Sequence, residues 1–339
     1  MSMRSDLFSE LMGISVIIIS FICAWALLGY HRFHLSTVDL EEEQMIYEIK
    51  PGDSINSIAD DFVKRGWLPH AYYLKAHARL NEHGSIKVGE YRISNNSTVL
   101  DLIKQFIEGK VVLHQLTIIE GWTFSQVRIA LSDNPVLIQT LNDLSDEEIM
   151  EKIGSKGLHP EGQFLPDTYS FSRQTTDLQY LQQAHQALQN TLATAWENRD
   201  EKLPIKTPYE ALTLASIVEK ETGAAHERPL IAGVFMTRLR KNMKLQTDPT
   251  VIYGMGSRYQ GNIQRKHLRE DTPYNTYVHK GLTPTPISMP GAAAIEAVMH
   301  PKEEGYLYFV AKADGSGEHY FSKTLKEHNQ AVRKYQLKK

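Results

Sequence analysis

The sequence predicts an α+β protein in which an N-terminal transmembrane helix precedes a small βααβ module and a larger mixed α/β domain. Three observations support this prediction. Residues 11–30 form an uncharged apolar run, residues 45–112 show a strand, helix, helix, strand pattern, and residues 113–339 alternate helices with short strands. A short tail, residues 1–10, and a linker, residues 31–44, complete the expected organisation.

The composition is that of a globular protein with an ordinary balance of charge. The 339 residues are 42% apolar, and 37 basic against 40 acidic residues give a formal charge of −3. No block of basic residues stands out, so we expect no nucleic-acid partner. Cys23, the single cysteine, lies in the apolar run, which excludes disulfides and thiolate metal sites from the remaining chain. The histidines lack metal-ligand spacing and no nucleotide-binding glycine motif occurs, so we expect neither metal nor cofactor.

The apolar run at residues 11–30 matches the length that a helix needs to cross a bilayer. It is longer than the core of a typical signal peptide, and it continues past the small-x-small sequence at residues 24–26. We therefore expect an uncleaved anchor that contacts membrane lipid. Arg4 on one side and Arg32 on the other leave the orientation open.

Residues 45–112 read as a compact module. Residues 45–49 alternate like a strand, and Ser54 can cap a helix after the turn at residues 51–54. A second helix follows, and residues 87–93 return as a strand. The order and the Pro-Gly-Asp-Ser turn resemble a LysM module, a small peptidoglycan-binding fold. A generic spacer domain is the alternative.

Residues 211–222 read as an amphipathic helix that carries a carboxylate among its apolar residues. The i+3, i+4 and i+7 spacings place Glu221 in one quadrant with three aliphatic side chains, whereas Glu219 falls on the flank. Desolvation disfavours the ionised form of such a carboxyl and raises its pKa, which is the property that a general acid requires. The alternative is a partly buried glutamate that forms a salt bridge with Arg228 or Arg238.

Three polar stretches rich in aromatic residues accompany this helix. They are LQTDPTVIYG at residues 245–254, TPYNTY at residues 272–277 and an aromatic loop at residues 160–169. Carbohydrate clefts combine tyrosine rings with amides and carboxylates in this way. We expect the sugar-binding residues to be Glu161, Gln246, Asp248, Tyr253, Tyr274 and Asn275.

Acid catalysis of glycoside cleavage normally needs a second carboxylate, and Glu161 and Asp248 are the candidates. One carboxyl suffices if a hydroxyl of the sugar itself is the nucleophile, because that hydroxyl is already held near the reacting carbon. For Asp248 the alternative is a purely structural role as a cap of the following helix or turn.

Four motifs together resemble the MltG (YceG-like) endolytic murein transglycosylases of bacterial inner membranes. They are ASIVEKET at residues 215–222, the stretches at 245–254 and 272–277, and a proline-fixed loop at 281–291. The resemblance spans the entire chain, including the anchor and the LysM-like module. The family's catalytic glutamate, the second of its Glu-Lys-Glu-Thr motif, falls on Glu221, which the helical phase selects independently.

The resemblance implies cleavage of the β-1,4 bond between N-acetylmuramic acid and N-acetylglucosamine in nascent glycan strands. Glu221 would protonate the bridging oxygen and then accept the proton of the muramoyl C6 hydroxyl, which leaves a 1,6-anhydro end without cofactor or metal. The resemblance also implies a single-pass protein of the inner membrane with a periplasmic catalytic region. Its partners would be peptidoglycan strands and peptidoglycan synthases, whose strand elongation it would terminate.

The chain departs from the family pattern in the proline-fixed loop, where Thr283, Thr285 and Met289 replace residues common in relatives, and these changes concern the fit of the substrate. Two other functions remain open. One is a muramidase-type hydrolase with Glu161 or Asp248 as base, and the other is a non-catalytic membrane-anchored peptidoglycan-binding scaffold.

Overall fold

A computed structural model describes residues 2–81 and 85–337, with side chains from residue 10 onward. The chain forms two compact units. The first takes in the residues up to His114 together with Ser172–Gln174, and the second comprises Gln115–Phe171 and the residues from Thr175 onward.

The first unit begins with α1 (Ser2–His34), which continues beyond the apolar run on both sides. Among the described residues it is the one helix long and apolar enough to cross a membrane, over Glu10–His34 with a mean hydropathy of 2.6. The other elements of the unit are β1 (Gln44–Ile49), α2 (Ile55–Lys64), α3 (Ala71–Leu80), β2 (Gly89–Ser94) and α4 (Val99–Glu108).

The strand, helix, helix, strand order of this unit agrees with the sequence pattern. β1 and β2 pair antiparallel, in a register that runs from Gln44 opposite Ser94 to Ile49 opposite Gly89. Ser54 begins α2 through a capping box with Ser57, which satisfies two backbone N–H groups that the helix itself leaves unpaired. Apolar side chains between the hairpin and the helices then form the core of the unit.

The second unit is mostly helical. Its elements are β3 (His114–Thr117, at the boundary), α5 (Phe124–Ser132), α6 (Asp146–Ile153), β4 (Thr168–Phe171), α7 (Asp177–Glu197), α8 (Pro208–Glu221), α9 (Arg228–Arg240), α10 (Asp248–Met255), α11 (Ala292–Met299), β5 (Tyr308–Ala311), β6 (His319–Ser322) and α12 (Leu325–Tyr335). β3 pairs with β4, and β5 with β6 in an antiparallel hairpin.

Helix α8 lies at the centre of this unit and contacts α7, α9, α10 and α11. Every residue from Ala211 to Val218 is buried, so the helix has no solvent-facing side over that length. The amphipathic prediction for this helix is therefore wrong. Neighbouring helices cover the alanine, serine and threonine residues of α8 as well as its aliphatic residues. The sequence pattern of one helix does not reveal such neighbours.

The loop that follows residue 281 is fixed to α8 through hydroxyl groups. The Ser216 hydroxyl accepts the Ile287 N–H at 2.9 Å, and the Ser288 hydroxyl donates to the Ser216 carbonyl at 3.1 Å. All three residues are buried. These bonds satisfy the buried Ile287 N–H and the buried Ser288 hydroxyl, and they hold the loop beside the last turns of the helix.

Candidate functional site

The C-terminal end of α8 carries the Glu-Lys-Glu sequence, and its first two side chains hold the helix end in place. The Glu219 carboxylate accepts the Gly291 N–H at 3.0 Å and pairs with Arg228 at 3.1 Å. The Lys220 ammonium donates to the Gly121 carbonyl at 3.1 Å. Burial raises the pKa of Glu219, and its bonds to Gly291 and Arg228 oppose that rise. The side chains of Glu219 and Lys220 thus bind neighbouring segments of the chain.

The third member of the sequence, Glu221, has a different environment. It is half-buried at the last position of α8, and its carboxyl accepts a hydrogen bond from the Thr247 hydroxyl. Burial raises the pKa of Glu221 to about 7, and the nearby charge of Asp248 acts in the same direction, whereas Thr247 and Arg238 lower it. At neutral pH this carboxyl therefore exists in both protonation states and can give or take a proton.

Arginine pairing, the alternative explanation for Glu221, is not what the structure shows. Arg228 pairs with Glu219 at 3.1 Å and with Glu120 at 3.3 Å. The guanidinium of Arg238 donates to the carbonyls of Leu307 at 2.7 Å and Leu245 at 2.8 Å. Between residues 10 and 337, outside the gap at 82–84, no ion pair links Glu221 to either arginine.

Three buried threonines hold the hydroxyl that contacts Glu221. The Thr247 N–H donates to the Thr276 hydroxyl at 3.1 Å, and the Thr250 hydroxyl donates to the Thr247 carbonyl at 2.8 Å. The Thr250 and Thr276 hydroxyls contact each other at 2.9 Å, and the Thr276 hydroxyl also donates to the Thr247 carbonyl at 3.5 Å. Gln246, just before this cluster, has a left-handed φ of 51°, and its N–H donates to the Thr276 carbonyl at 3.2 Å. The backbone at Thr247 is therefore fixed on both sides.

Asp248 is the first residue of α10 and is exposed. It directly follows Thr247, whose hydroxyl donates to Glu221. The Asp248 carboxylate accepts a hydrogen bond from the Tyr277 hydroxyl at 2.6 Å. The N-cap residue of α10 is Thr247. Asp248 therefore does not have the purely structural role of capping this helix. A carboxylate in the first turn is favourably placed against the helix dipole, which supports its charge. Asp248 is thus an accessible carboxylate next to the candidate acid.

Glu161 lies in a second cluster, which is more enclosed. It is only 4% exposed, and it accepts the Phe124 N–H at 3.0 Å and the Tyr253 hydroxyl at 3.1 Å. Burial raises the pKa of Glu161 to about 7. The ring of Tyr253 meets the ring of Tyr274 edge to face at 4.8 Å, and the Tyr274 hydroxyl contacts Thr285 at 3.0 Å. Both tyrosines therefore lie in the same unit as Glu221 and connect α10 to the loops.

The two predicted amide residues make contacts within the protein. The buried Asn275 amide donates to the carbonyls of His267 at 3.1 Å and Glu270 at 2.7 Å, and its oxygen accepts the Tyr277 N–H at 2.9 Å. Gln246 is exposed, and its side-chain oxygen accepts from Arg238 at 3.4 Å. Asn275 shapes the loop before Tyr277, and its contact with sugars stays a prediction.

Sequence reasoning missed two residues that contact the site directly, Thr247 and Tyr277. Both lie inside the polar motifs, one position before Asp248 and two positions after Asn275. Nothing in a single sequence distinguishes the motif residue that meets Glu221 from its neighbours. Among the residues whose side chains the structure describes, no group of three or more His, Cys, Asp or Glu could hold a metal ion.

Three comparisons place the chain among known proteins. The model of the YceG-like family matches residues 47–334. A protein of Bacillus subtilis named endolytic murein transglycosylase is 31% identical over 324 residues, which cover 90% of this chain and 89% of the relative. A Streptococcus pneumoniae protein of the same name is 27% identical, with 94% of this chain and 65% of that protein covered.

A solved structure agrees with these sequences. The crystal structure of a yceG-like protein from Listeria monocytogenes matches with a TM-score of 0.53 and 31% identity, over 86% of this chain and 99% of that one. The family match covers well over half of the chain, and it includes Glu221, Thr247 and Tyr277. This chain belongs to the YceG-like family.

Proposed function

We propose that this chain is an endolytic murein transglycosylase and that Glu221 is its catalytic residue. The names of its relatives support the reaction class. The observation that carries the residue assignment is the environment of Glu221, a half-buried carboxyl with a pKa raised to about 7 and oriented by Thr247. A group with this pKa can act first as an acid and then as a base at neutral pH.

The proposed reaction uses one carboxyl twice. Protonated Glu221 gives its proton to the oxygen that bridges N-acetylmuramic acid and N-acetylglucosamine, and the bond from that oxygen to the muramoyl C1 breaks. The carboxylate then takes the proton of the muramoyl C6 hydroxyl while this oxygen bonds to C1. The products are a free sugar hydroxyl and a 1,6-anhydro end, and no water is consumed.

The residues around Glu221 would support the charge that develops on the sugar. In this proposal the exposed Asp248 carboxylate, which Tyr277 holds, stabilises an oxocarbenium-like ring through its negative charge. Tyr253 and Tyr274 present aromatic surface suited to a sugar face. Glu161 is enclosed by Phe124 and Tyr253, so its role in this proposal is to position Tyr253.

A matched pair of variants tests the acid assignment. Glu221→Gln keeps the shape of the side chain but removes its proton, so we expect cleavage to fall by at least about a hundredfold while thermal stability is retained. Glu304→Gln makes the same chemical change at an exposed position and should leave cleavage unaltered. A folded Glu221→Gln protein that releases products as fast as the parent would refute the assignment.

Hydrolysis is the second candidate, because Asp248 is an accessible carboxylate close enough to act on Glu221's pKa and could activate water. Mass spectrometry of the products separates the two reactions, since hydrolytic ends carry one more water than anhydro ends. Reducing muramic ends as the main product would refute the transglycosylase. Murein binding with no product from the parent would instead favour a scaffold.

The remaining parts of the chain would bring the enzyme to its substrate. In this proposal α1 is a single-pass anchor in the inner membrane, residues 113–339 form a periplasmic catalytic domain, and peptidoglycan synthases are nearby partners. Residues 45–112 would act as a LysM-like glycan-binding module. A cavity of about 420 Å³ in this module, lined by Asp53, Asn56 and Lys75 among others, supports that role, since polar groups there can meet a sugar.

The orientation and the module have separate tests. A reporter fused after residue 35 that reads cytoplasmic would contradict the periplasmic assignment. Asn56→Ala with Lys75→Ala in the full chain should weaken binding to isolated murein if the module binds glycan. A spacer domain would tolerate both changes without loss of binding.

A further inference from the structure

A basic cavity lies beyond the far end of α10. Its volume is about 880 Å³, and its lining includes the cations of Arg258, Lys266 and Arg269 with the amides of Gln260, Asn262 and Gln264. Residues 249–269 contain no Asp or Glu, although the whole chain has more acidic than basic residues. Positive charge is therefore concentrated at this cavity.

The cavity wall is held in place by specific contacts. Glu270 pairs with Arg258 at 2.8 Å and closes the loop. The Asn275 amide donates to the carbonyls of Glu270 and His267, which fixes the same wall to the TPYNTY stretch. The wall is therefore a shaped part of the fold.

The charges that line the cavity do not cancel. Its three cations face one carboxylate, that of Glu270, which is already paired with Arg258. In the described part of the chain, the side chains of Lys266 and Arg269 form no ion pair or hydrogen bond with another residue. Two positive charges are left without a partner, and both belong to exposed side chains that can reach a ligand.

The position of the cavity connects it to the candidate active site. Met255, which lines the cavity, is the last residue of α10, and Asp248 is the first. Seven helical steps separate them, which corresponds to about 11 Å. That length is on the scale of one or two linked sugars, so the cavity is within reach of a strand bound at Glu221.

The chemistry of the cavity indicates an anion. Its lining contains no Phe, Tyr or Trp, in contrast to the Tyr253 and Tyr274 side of α10 where a sugar face could stack. Arginine, lysine and side-chain amides are donors that match the oxygens of carboxylates and phosphates. An uncharged sugar alone would leave these cations unused.

We infer that this cavity binds an anionic group of the murein strand, a carboxylate or a phosphate, while Glu221 acts on the glycan. This inference rests on the proposed function. Two sources carry such oxygens: the free carboxylates of the peptides along a strand, and the diphosphate at its lipid-linked end. In both cases Lys266 and Arg269 are binding residues that select the position of the strand and take no part in the chemistry.

The test removes two charges without touching the reacting groups. Lys266→Gln with Arg269→Gln is compared in the full-length, detergent-solubilised protein with Lys326→Gln and Arg333→Gln, which removes two exposed charges from α12. The substrates are glycan strands of equal length with free peptide carboxylates, with those carboxylates amidated, or without the terminal diphosphate.

We expect the cavity variant to raise KM on the complete strand by about three- to tenfold, the scale of losing two exposed charge-assisted contacts. Its kcat should stay within about twofold of the parent, and added salt should narrow the difference in KM. The α12 variant should keep the parent KM. Equal KM values for parent and cavity variant on every substrate, or an equal increase in the α12 variant, would overturn the inference.

The substrate arms identify the source. If amidation of the peptides raises the parent KM to that of the cavity variant, the peptide carboxylates are the ligand. If removal of the terminal diphosphate raises the parent KM in this way, the diphosphate is the ligand. A binding measurement separates this inference from the proposed function. Glu221→Gln should bind free-carboxylate or diphosphate strands more tightly than the same protein with the two cavity changes, even if the parent cleaves nothing, and equal affinities would refute the subsite.

Discussion

The hydroxyl of Thr247 should set the pH range in which Glu221 works. Thr247→Val replaces the hydroxyl with a methyl group of nearly the same size at a position only 2% exposed. The Thr247 N–H and carbonyl keep their bonds to Thr276 and Thr250, so the backbone should stay in place. The substitution therefore removes one contact of Glu221 and little else.

The sign and size of the effect follow from that contact. A donated hydrogen bond favours the ionised carboxylate, so its loss raises the pKa of Glu221 above the present value of about 7. Hydrogen bonds to charged groups contribute about 1.5–3 kcal/mol, and one pKa unit corresponds to about 1.4 kcal/mol. Because Glu221 is partly accessible, we expect the low end of this range, a rise of about one unit.

The assay is kcat/KM against pH, with the release of anhydro ends as the signal. Activity that needs a protonated acid falls above its pKa, so the basic limb of the Thr247→Val profile should move up by about one pH unit. At its optimum the variant should be roughly tenfold slower, because the carboxyl also loses an orienting bond. Thr247→Ser keeps a hydroxyl and should retain the parent limb.

Two outcomes would contradict this reasoning. One is a Thr247→Val protein that is slower but has its basic limb at the parent pH, since that pattern indicates a general structural loss. The other is a limb that moves to lower pH, which would mean that the hydroxyl stabilises the protonated carboxyl. Thermal unfolding of each variant provides the control for folding.

Two further predictions concern stability. Glu161 has a folded pKa of about 7, above its unfolded value of 4.5, so its contribution to stability is fully present below about pH 4.5 and is lost as pH rises through 7. Glu161→Gln should flatten this fall, which amounts to at most about 3.4 kcal/mol in the unfolding free energy. An equally steep fall in the variant would assign the pH dependence to other groups. Glycine to alanine normally stabilises a helix. Gly233→Ala should instead destabilise the protein by at least about 2 kcal/mol, because the new Cβ would lie 2.1 Å from the Lys302 carbonyl oxygen. Gly223→Ala, which meets open space, is its control, and equal melting temperatures would show that the backbone yields at Gly233.

Most helices could be predicted because their signals are local. Ser54 with Ser57 begins α2, and α11 follows a proline-glycine step, so neighbouring residues alone determine where these helices start. α10 entered the sequence analysis only as the helix or turn that Asp248 could cap, because proline at its second position and a run of polar residues resemble a loop. β4 was missed because four residues carry little periodic signal, and its partner β3 lies about fifty residues earlier.

The candidate site also contains residues that local sequence could identify and contacts that it could not. The helical phase and the family motif both select Glu221 from residues that are close in sequence. The structure departs from that phase argument, because α8 is buried on every side from Ala211 to Val218 and the Glu219 side chain, expected on the flank, is only 5% exposed. The partner of Glu221 lies 26 residues away, and the Tyr253 partner of Glu161 lies 92 residues away. No spacing rule connects such pairs, so the sequence could place Glu161 among the sugar-binding candidates but could not show that its carboxyl is enclosed.

The sequence by itself determined the apolar span and the strand, helix, helix, strand order of the first unit, because each depends on residues within a few turns of one another. It also selected Glu221 as the candidate acid, and that assignment stays a prediction. Only the tertiary structure decided that α8 is buried on every side, that Thr247 orients its terminal carboxyl, and that the cations of residues 258–269 line one cavity. Burial and hydrogen bonding between distant segments depend on how helices pack, and that packing raises the pKa of Glu221 to about 7.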